Sequence, residues 1–336
     1  MIRRYQPIPR MGAPYSGRAL AGSADLWFDQ VMWRDRTGAS GVTVLDDCPQ
    51  EVLARLSSPR AAIAGLSLDR PRVMGILNVT PDSFSDGGDL ATVSAAVARA
   101  RAMEGDVDIL DIGGESTRPG AQEVDVAEEI RRTAPVIRAL RDAGITTPIS
   151  IDTRKSAVAE AALEAGADIV NDVSAFEFDP ELAHLVAERD VPVCLMHAKG
   201  LPENMQDDPR YEDVTFEVLD HLEARIALAE AAGIRRDRII TDPGIGFGKT
   251  LQHNVILLRA LALLHDLGLP ILLGVSRKRF IGALGQADEA KDRAPGSIAV
   301  ALDGVRQGAH ILRVHDVRET AQALRLQNVL MTRDAL

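Results

Sequence analysis

Eight short apolar segments recur along the chain from residue 71 onward, and Ala-rich, helix-like stretches lie between them. The segments cover residues 72–77, 107–112, 148–151, 169–171, 191–196, 239–241, 271–275 and 311–314. Most are continuous runs of β-branched residues and leucine, which is typical of parallel strands buried on both faces. Eight β–α units in this length predict a (β/α)8 TIM barrel over residues 71–336. An open doubly wound sheet would usually have fewer strands.

Residues 1–70 have a different pattern and are predicted to form an N-terminal extension. The expected elements are a β-hairpin with strands at 26–34 and 42–45 around a Gly-containing turn at 37–41, and a short helix at 49–56. An apolar stripe is expected to pack against the barrel: Leu26, Phe28, Val31 and Trp33. The extension carries no evident chemistry, so we expect a structural role, with a dimer or partner contact as the alternative.

Charge and hydropathy exclude several classes of protein. The chain has 38 Lys and Arg against 49 Asp and Glu, a formal net charge of −11, which disfavours general nucleic-acid binding. No apolar run approaches the roughly 18 residues of a membrane span, and no apolar signal segment follows the N-terminus. The two cysteines, Cys48 and Cys194, form no disulfide framework or zinc pattern. A cytoplasmic location is therefore expected.

Polar, charged or Gly-rich residues lie at the end of each predicted strand. They are residues 78–82, 111–115, 152–154, 171–172, 197, 242–244, 276–278 and 313–316. In a parallel barrel all these positions open on the C-terminal face, where barrel active sites lie. The sequence therefore predicts a functional site at this face.

The Gly-rich segment 242–250 resembles a phosphate-binding loop, but its spacing is wrong. A P-loop requires glycine five residues before Gly248-Lys249, and Pro243 stands there. The dinucleotide pattern fails as well, because Lys249 occupies the place of its third glycine. We therefore predict a Gly-rich turn that presents Asp242, with a plain loop and a capping aspartate as the alternative.

Three strand-end residues suit a heterocycle with an amidine-like edge. The carboxylates of Asp152 and Asp242 can accept paired N–H donors, and Asn171 adds a donor and an acceptor. These residues point to a pterin, a purine or a guanidine-like ligand. For each alone, a helix cap or a buried polar network is an equal alternative.

Three basic residues lie at or just after the ends of the last two predicted strands. Lys278, Arg313 and His315 would converge on one mouth of an acidic protein, which suggests an anionic ligand. Rim salt bridges are the alternative. His197 is expected to be a satisfied polar residue rather than a ligand.

Two long polar loops follow the first two strands, at residues 78–88 and 114–121. Their length and their glycine and serine content favour mobile lids over tight connections. Plain surface loops are the alternative.

Taken together, seven ordered segments resemble the dihydropteroate synthase family. They are residues 75–88, 111–121, 150–153, 170–174, 242–249, 276–278 and 313–317. The resemblance implies a (β/α)8 barrel, usually homodimeric, that joins (7,8-dihydropterin-6-yl)methyl diphosphate to 4-aminobenzoate with the help of Mg2+. It also implies a target of sulfonamides.

The resemblance also implies roles for residues at matching positions. Those expected to hold the pterin are Asp152, Asn171, Asp242 and Lys278. Those expected around the diphosphate are Asn78, Thr117, Arg313 and His315, with Asn78 also a Mg2+ ligand. Those expected to border 4-aminobenzoate are Phe84, Thr117, Arg118, Pro119, Phe247 and Lys278. The expected catalytic residues are Asp86, which would stabilise a developing cation, together with Lys278, Arg313 and His315.

The chain departs from the family pattern in two places. Arg279 stands where many members have a serine beside the benzoate carboxylate, and residues 1–70 exceed the usual short N-terminal hairpin. Two other functions are compatible with the sequence. One is a pterin-binding methyltransferase of the same superfamily, which would need neither long loop. The other is an inactive pterin-binding homologue.

Overall fold

The computed structural model describes residues 3–12, 16–79, 89–117, 120–200 and 203–331. The strands are β1 (Arg3–Pro7), β2 (Arg10–Met11), β3 (Arg18–Ala19), β4 (Leu26–Phe28), β5 (Gln30–Asp35), β6 (Ser40–Val44), β7 (Arg72–Asn78), β8 (Ile109–Gly113), β9 (Ile149–Asp152), β10 (Ile169–Asp172), β11 (Val193–Met196), β12 (Ile239–Asp242), β13 (Leu272–Leu273) and β14 (Ile311–Val314). The α-helices are α1 (Gln50–Ser57), α2 (Asp89–Met103), α3 (Val126–Asp142), α4 (Ser156–Ala165), α5 (Glu181–Arg189), α6 (Val214–Ala231), α7 (Leu251–Arg259), α8 (Arg279–Gly285), α9 (Ala294–Arg306) and α10 (Val317–Met331).

Strands β7–β14 form an eight-stranded parallel sheet in the order β12-β11-β10-β9-β8-β7-β14-β13. A parallel bridge between Thr241 and Ile271 joins the two ends, so the sheet closes into a barrel. Each strand coincides with one of the eight apolar segments of the sequence, which confirms the predicted barrel. All eight carboxyl ends therefore share one face.

The barrel interior changes from apolar to polar along the strands, because alternate residues of a strand point to the same side. An apolar cluster fills the N-terminal half and includes Met74, Ile109, Ile169, Ile240 and Ile311. On four of these strands, the residue two positions after the isoleucine is polar or charged: Asp111, Asn171, Asp242 and Arg313. The strand period thus places a polar layer directly above an apolar floor.

The extension forms two small antiparallel sheets, ordered β1-β5-β6 and β2-β4-β3. The predicted hairpin is confirmed, since β5 pairs with β6, with Arg34 opposite Ser40. The expected single strand over 26–34 is wrong, because β4 and β5 belong to different sheets on either side of Asp29.

The apolar stripe of the extension packs mainly within the extension and not, as was expected, on the barrel. Leu26, Phe28 and Val31 join residues of α1 in a separate hydrophobic cluster, and Trp33 is stacked under Arg3. An alternation of apolar residues shows that a strand face is buried, but it does not specify what covers it.

Ion pairs and one apolar plug attach the extension to the barrel. Arg4 lies 2.7 Å from carboxylate oxygens of both Asp220 and Glu223 on α6. Ile63, which follows α1, is fully buried in the apolar floor of the barrel. Among the helices that the structure describes, none is both long and apolar enough to cross a membrane.

Candidate active site

The polar layer of the barrel is organised around Arg313. Its Nε donates to Asp111 Oδ2 over 2.7 Å, and its Nη2 donates to Asp152 Oδ2 over 2.6 Å. Burial alone would lower the pKa of the guanidinium, but Asp111 and Asp152 raise it above its ordinary value. Arg313, predicted to bind diphosphate, therefore lies beside the residues predicted to bind the pterin.

Asp152 is incompletely paired. Its Oδ1 is buried and accepts no hydrogen bond within the part of the chain that the structure describes. Burial raises the pKa of this carboxyl to about 7, although Arg313 opposes the shift. Asn171 lies opposite Asp152 in the register of β10 and β9, and its Nδ2 is 3.5 Å from Asp111 Oδ1. A buried acceptor without a donor costs free energy, which a ligand N–H group would recover.

Asp242 and Lys278 form the opposite side of the layer. Asp242 Oδ1 accepts from the backbone N–H of Gly244 over 2.7 Å, and burial raises its pKa while Lys278 opposes the rise. Burial lowers the pKa of Lys278 to about 8, against the effect of Asp242. Its Nζ donates to the carbonyl of Ile245 and lies 4.7 Å from the centre of the Phe247 ring. Phe247 and Lys278 are thus neighbours, as the predicted 4-aminobenzoate wall requires.

The Gly-rich turn after β12 is shaped by Lys249, which sequence reasoning considered only as a phosphate ligand. Its buried Nζ donates to the carbonyls of Gly244 and Phe247 over 2.8 and 2.9 Å, and it lies 2.8 Å from His197 Nδ1. Gly248 has a φ of +60°, and a Cβ there would lie 2.2 Å from the Lys199 carbonyl oxygen. Lys249 therefore binds its own loop, and His197 is the satisfied polar residue that was predicted.

Three predicted diphosphate ligands lie nearer the rim. Asn78 ends β7 and pairs in register with Gly113. A Cβ built on Gly113 would be 3.7 Å from Asn78 Oδ1 and 3.5 Å from Asp152 Cβ, so Gly113 separates the two side chains. His315 Nδ1 lies 3.0 Å from Ser276 Oγ, and Thr117 is half-buried in the second loop. Phe84, Asp86, Arg118 and Pro119 lie outside the described residues.

A second buried charge cluster holds the base of the loop that carries Thr117. We call it the loop clamp; its members are Glu115, Glu129, Arg154 and Lys155. Lys155 Nζ donates to Glu115 over 2.7 Å and to Glu129 over 2.8 Å, and Arg154 Nη2 donates to Glu115 over 2.5 Å.

The clamp also joins the two ends of the second loop. The backbone N–H of Val124 donates to Glu115 over 2.8 Å, and the Val124 carbonyl accepts from Lys155 over 2.5 Å. Burial disfavours the ionised Glu115, yet its donors lower its pKa below the ordinary value. Sequence reasoning missed the clamp, although charged residues at the ends of adjacent strands β8 and β9 were a usable signal.

Comparisons with known proteins identify the family of the chain. The family model described as "Pterin binding enzyme" matches residues 74–315. Dihydropteroate synthase of Neisseria meningitidis serogroup C is 49% identical over 270 residues, which cover 79% of this chain and 94% of that protein. The Escherichia coli K12 enzyme of the same name is 47% identical over 262 residues, 78% of this chain and 92% of that protein.

Solved structures of dihydropteroate synthases are also similar to this chain. Xanthomonas albilineans dihydropteroate synthase with 4-aminobenzoic acid has a TM-score of 0.76 and 50% identity, and the match covers 82% of this chain and 98% of that one. The same enzyme in complex with 7,8-dihydropteroate has a TM-score of 0.73 and 47% identity, with 81% and 98% covered. The chain therefore belongs to the pterin-binding enzyme family, among the dihydropteroate synthases.

Proposed function

We propose that this chain condenses (7,8-dihydropterin-6-yl)methyl diphosphate with 4-aminobenzoate to give 7,8-dihydropteroate and diphosphate, a transferase reaction of folate biosynthesis. The observation that carries the proposal is the unpaired Oδ1 of Asp152 beside Asn171 in a closed polar layer. A pterin presents adjacent N–H donors on one edge, which complement buried carboxylate and amide oxygens.

The pterin would enter the layer formed by Asp152, Asn171, Asp242 and Lys278. Ionised Asp152 and Asp242 accept from the ring N–H groups, and the Lys278 ammonium donates to a ring acceptor. Lys278 reaches this layer from the turn after β13, where its Nζ now donates to the Ile245 carbonyl. The ligand would replace that backbone acceptor with one of its own.

The diphosphate would lie toward the rim, near Asn78, Thr117 and His315. Arg313 would contact both the pterin and the diphosphate. Its guanidinium already bridges Asp111 and Asp152, and the side chain remains 23% exposed. Negative charge grows on the departing oxygen during C–O cleavage, and nearby cations stabilise it.

The residues at the rim fit a magnesium ion that arrives with the substrate. Mg2+ is usually held by one or two protein oxygens together with substrate phosphates and water. The amide oxygen of Asn78 can supply such a ligand, and within the described residues no cluster of three acids, histidines or cysteines forms a separate cage. When bound there, Mg2+ would supply positive charge to the leaving diphosphate.

The 4-aminobenzoate would occupy the outer wall beside Phe247, Lys278 and the second loop. Cleavage leaves a dihydropterin methyl cation. We assign to Asp86 the role of stabilising this cation. The arylamine attacks this carbon and then loses a proton. Because an arylamine is already a usable nucleophile, the site needs no strong general base, and closed loops would keep water from the cation. The closed state would also be the one that sulfonamides recognise.

We further propose a cytoplasmic homodimer. Apolar side chains remain exposed on α10, including Leu326 at 62% and Leu330 at 85%, and a partner subunit could cover them.

The decisive experiment measures diphosphate release and pteroate formation with both substrates and Mg2+. A dihydropteroate synthase forms both products in equal amounts and only when both substrates are present. A methyltransferase would bind the pterin and form neither product, and an inactive homologue would do the same without methyl transfer.

A further inference from the structure

A cavity of about 380 Å3 lies at the face of the barrel opposite the active site. The extension contributes Leu20 and Leu26 to its wall, and α10 contributes Leu324 and Gln327. The barrel contributes Val73, at the start of β7, and Val107, just before β8. Val73 and Asn78 are five residues apart on β7, so the cavity and the rim are separated by about 16 Å of strand. We call this space the basal cavity.

Its size suits an organic molecule. Ligand pockets usually measure roughly 300–1,000 Å3, whereas one water takes only about 30 Å3. The family model match begins at residue 74 and so excludes the extension that forms one wall. The basal cavity therefore depends on the part of the chain that catalysis does not explain.

Gln327 supplies a buried acceptor without a partner. The residue is 7% exposed, and its Nε2 donates to the Leu302 carbonyl over 3.3 Å. That bond sets the orientation of the amide, since the reversed amide would place two oxygens together. Oε1 is left buried and unpaired among the described residues.

Asp25 supplies a second acceptor, and it carries a charge. Asp25 lines the cavity. Its carboxylate forms no ion pair or hydrogen bond within the described ranges, and burial raises its pKa. The other charged residues of the wall are paired: Arg325 lies 2.8 Å from Asp106, and Arg70 lies 2.7 Å from Asp108. Among the described side chains that line the cavity, the unsatisfied groups are thus one anion and one neutral acceptor.

We propose that the basal cavity binds a small organic cation, an amine with an apolar body. The ammonium would donate to Asp25 and Gln327 Oε1, and the hydrocarbon part would contact Leu20, Leu26 and Leu324. An anion of the same shape would bind poorly, because it would place a second negative charge beside Asp25 and leave Gln327 Oε1 unpaired. The proposal is independent of the reaction at the other face.

The test uses the full chain with a pterin analogue saturating the active site, so that a cationic probe cannot bind at Asp152. Ligand-observed NMR and calorimetry compare 2-phenylethylamine with the neutral 2-phenylethanol and the anionic 3-phenylpropanoate. We expect the amine to bind at least about tenfold more tightly than the anion, since a hydrogen bond to a charged group is worth more than a factor of ten.

Three variants and a matched control locate the binding. Gln327→Leu should weaken amine binding about tenfold, Asp25→Asn should abolish the preference for the amine over the alcohol, and Leu324→Trp should fill the space and prevent binding. Leu228→Trp, at an exposed position of α6 that does not line the cavity, should bind the amine as the unaltered chain does.

Thermal unfolding is measured first, to confirm that each variant is folded before its amine binding is compared. The proposal is overturned if no probe binds at millimolar concentration, if the anion binds as well as the amine, or if folded Leu324→Trp binds the amine normally.

Discussion

The polar layer and the loop clamp are both buried charge clusters at the C-terminal face, but they differ in how completely their carboxylates are paired. In the clamp all four carboxylate oxygens of Glu115 and Glu129 accept hydrogen bonds from Lys155, Arg154, Thr153 or the Val124 amide. In the polar layer Asp152 keeps one oxygen unpaired, and its pKa rises to about 7.

This difference indicates that the loop clamp has a structural role and that the polar layer binds a ligand. Buried charges with full sets of partners hold chain segments together, and removing one partner is costly. Buried charges that lack partners cost stability until a ligand supplies them, so they mark a binding site. The following predictions test that distinction.

The largest expected effect follows the substitution Lys155→Met. It leaves Glu115 and Glu129 as buried carboxylates without their shared cation, so the free energy of unfolding should fall by about 3–5 kcal/mol. Denaturant unfolding measures it. As a control, Arg189→Ala removes only the exposed pairs with Glu160 and Glu164 and should cost no more than about 1 kcal/mol. Equal losses in the two variants would show that the clamp contributes no special stability.

Asp152→Asn should have the opposite effect: a large loss of pterin affinity and a small loss of stability. Pterin binding should weaken by about 1.5–3 kcal/mol, because an acceptor-only group is replaced by one that also donates. Asp242→Asn should act in the same direction. Stability should fall much less than in Lys155→Met, since an incompletely paired buried charge is removed. Calorimetry with a pterin analogue measures the affinity, and unchanged binding in both variants would remove these residues from the pterin site.

The pH dependence of pterin binding should have two limbs. Below about pH 7, Asp152 takes up a proton and ceases to be an acceptor-only group. Above about pH 8, Lys278 loses its charge. Affinity should therefore be highest between these values and fall up to about tenfold per pH unit on either side. Asp152→Asn should abolish the acidic limb alone, and an acidic limb that persists in this variant would assign the titration to another group.

The smallest expected effect concerns Glu115→Gln. The amide keeps the shape of Glu115 but weakens its bonds to Lys155 and Arg154, so the second loop should be positioned less firmly. Affinity for 4-aminobenzoate, measured with diphosphate and Mg2+ present, should fall by less than about tenfold.

Pterin binding should change much less than 4-aminobenzoate binding in this variant, because Glu115 makes no hydrogen bond to a residue of the polar layer and acts on Asp152 only through its charge. A loss of pterin affinity equal to the loss of 4-aminobenzoate affinity would mean that the clamp and the polar layer act as one network. The pair of measurements therefore tests whether the two clusters are separate.

The barrel could be predicted from the sequence because its signals are local. Each of the eight apolar segments is itself a strand, and the residue where a strand ends determines which side chains reach the C-terminal face. Asp152, Asn171 and Asp242 were identified in this way, and the structure brings all three to the mouth of the barrel. The hairpin over β5 and β6 was predictable for the same reason, since its turn and both strands are contiguous.

Only the tertiary structure decided which charges meet. Arg313 lies more than 150 residues from Asp152, and Glu115 lies 40 residues from Lys155, so neither pairing has a local signature. The unpaired oxygen of Asp152, the turn organised by Lys249 and the separate core of the extension depend in the same way on neighbours from distant segments. The sequence by itself determined the strands and the polar ends that they carry. The closure of the barrel decided which buried charges are satisfied and which remain available to a ligand, because burial and pairing are properties of the packed chain.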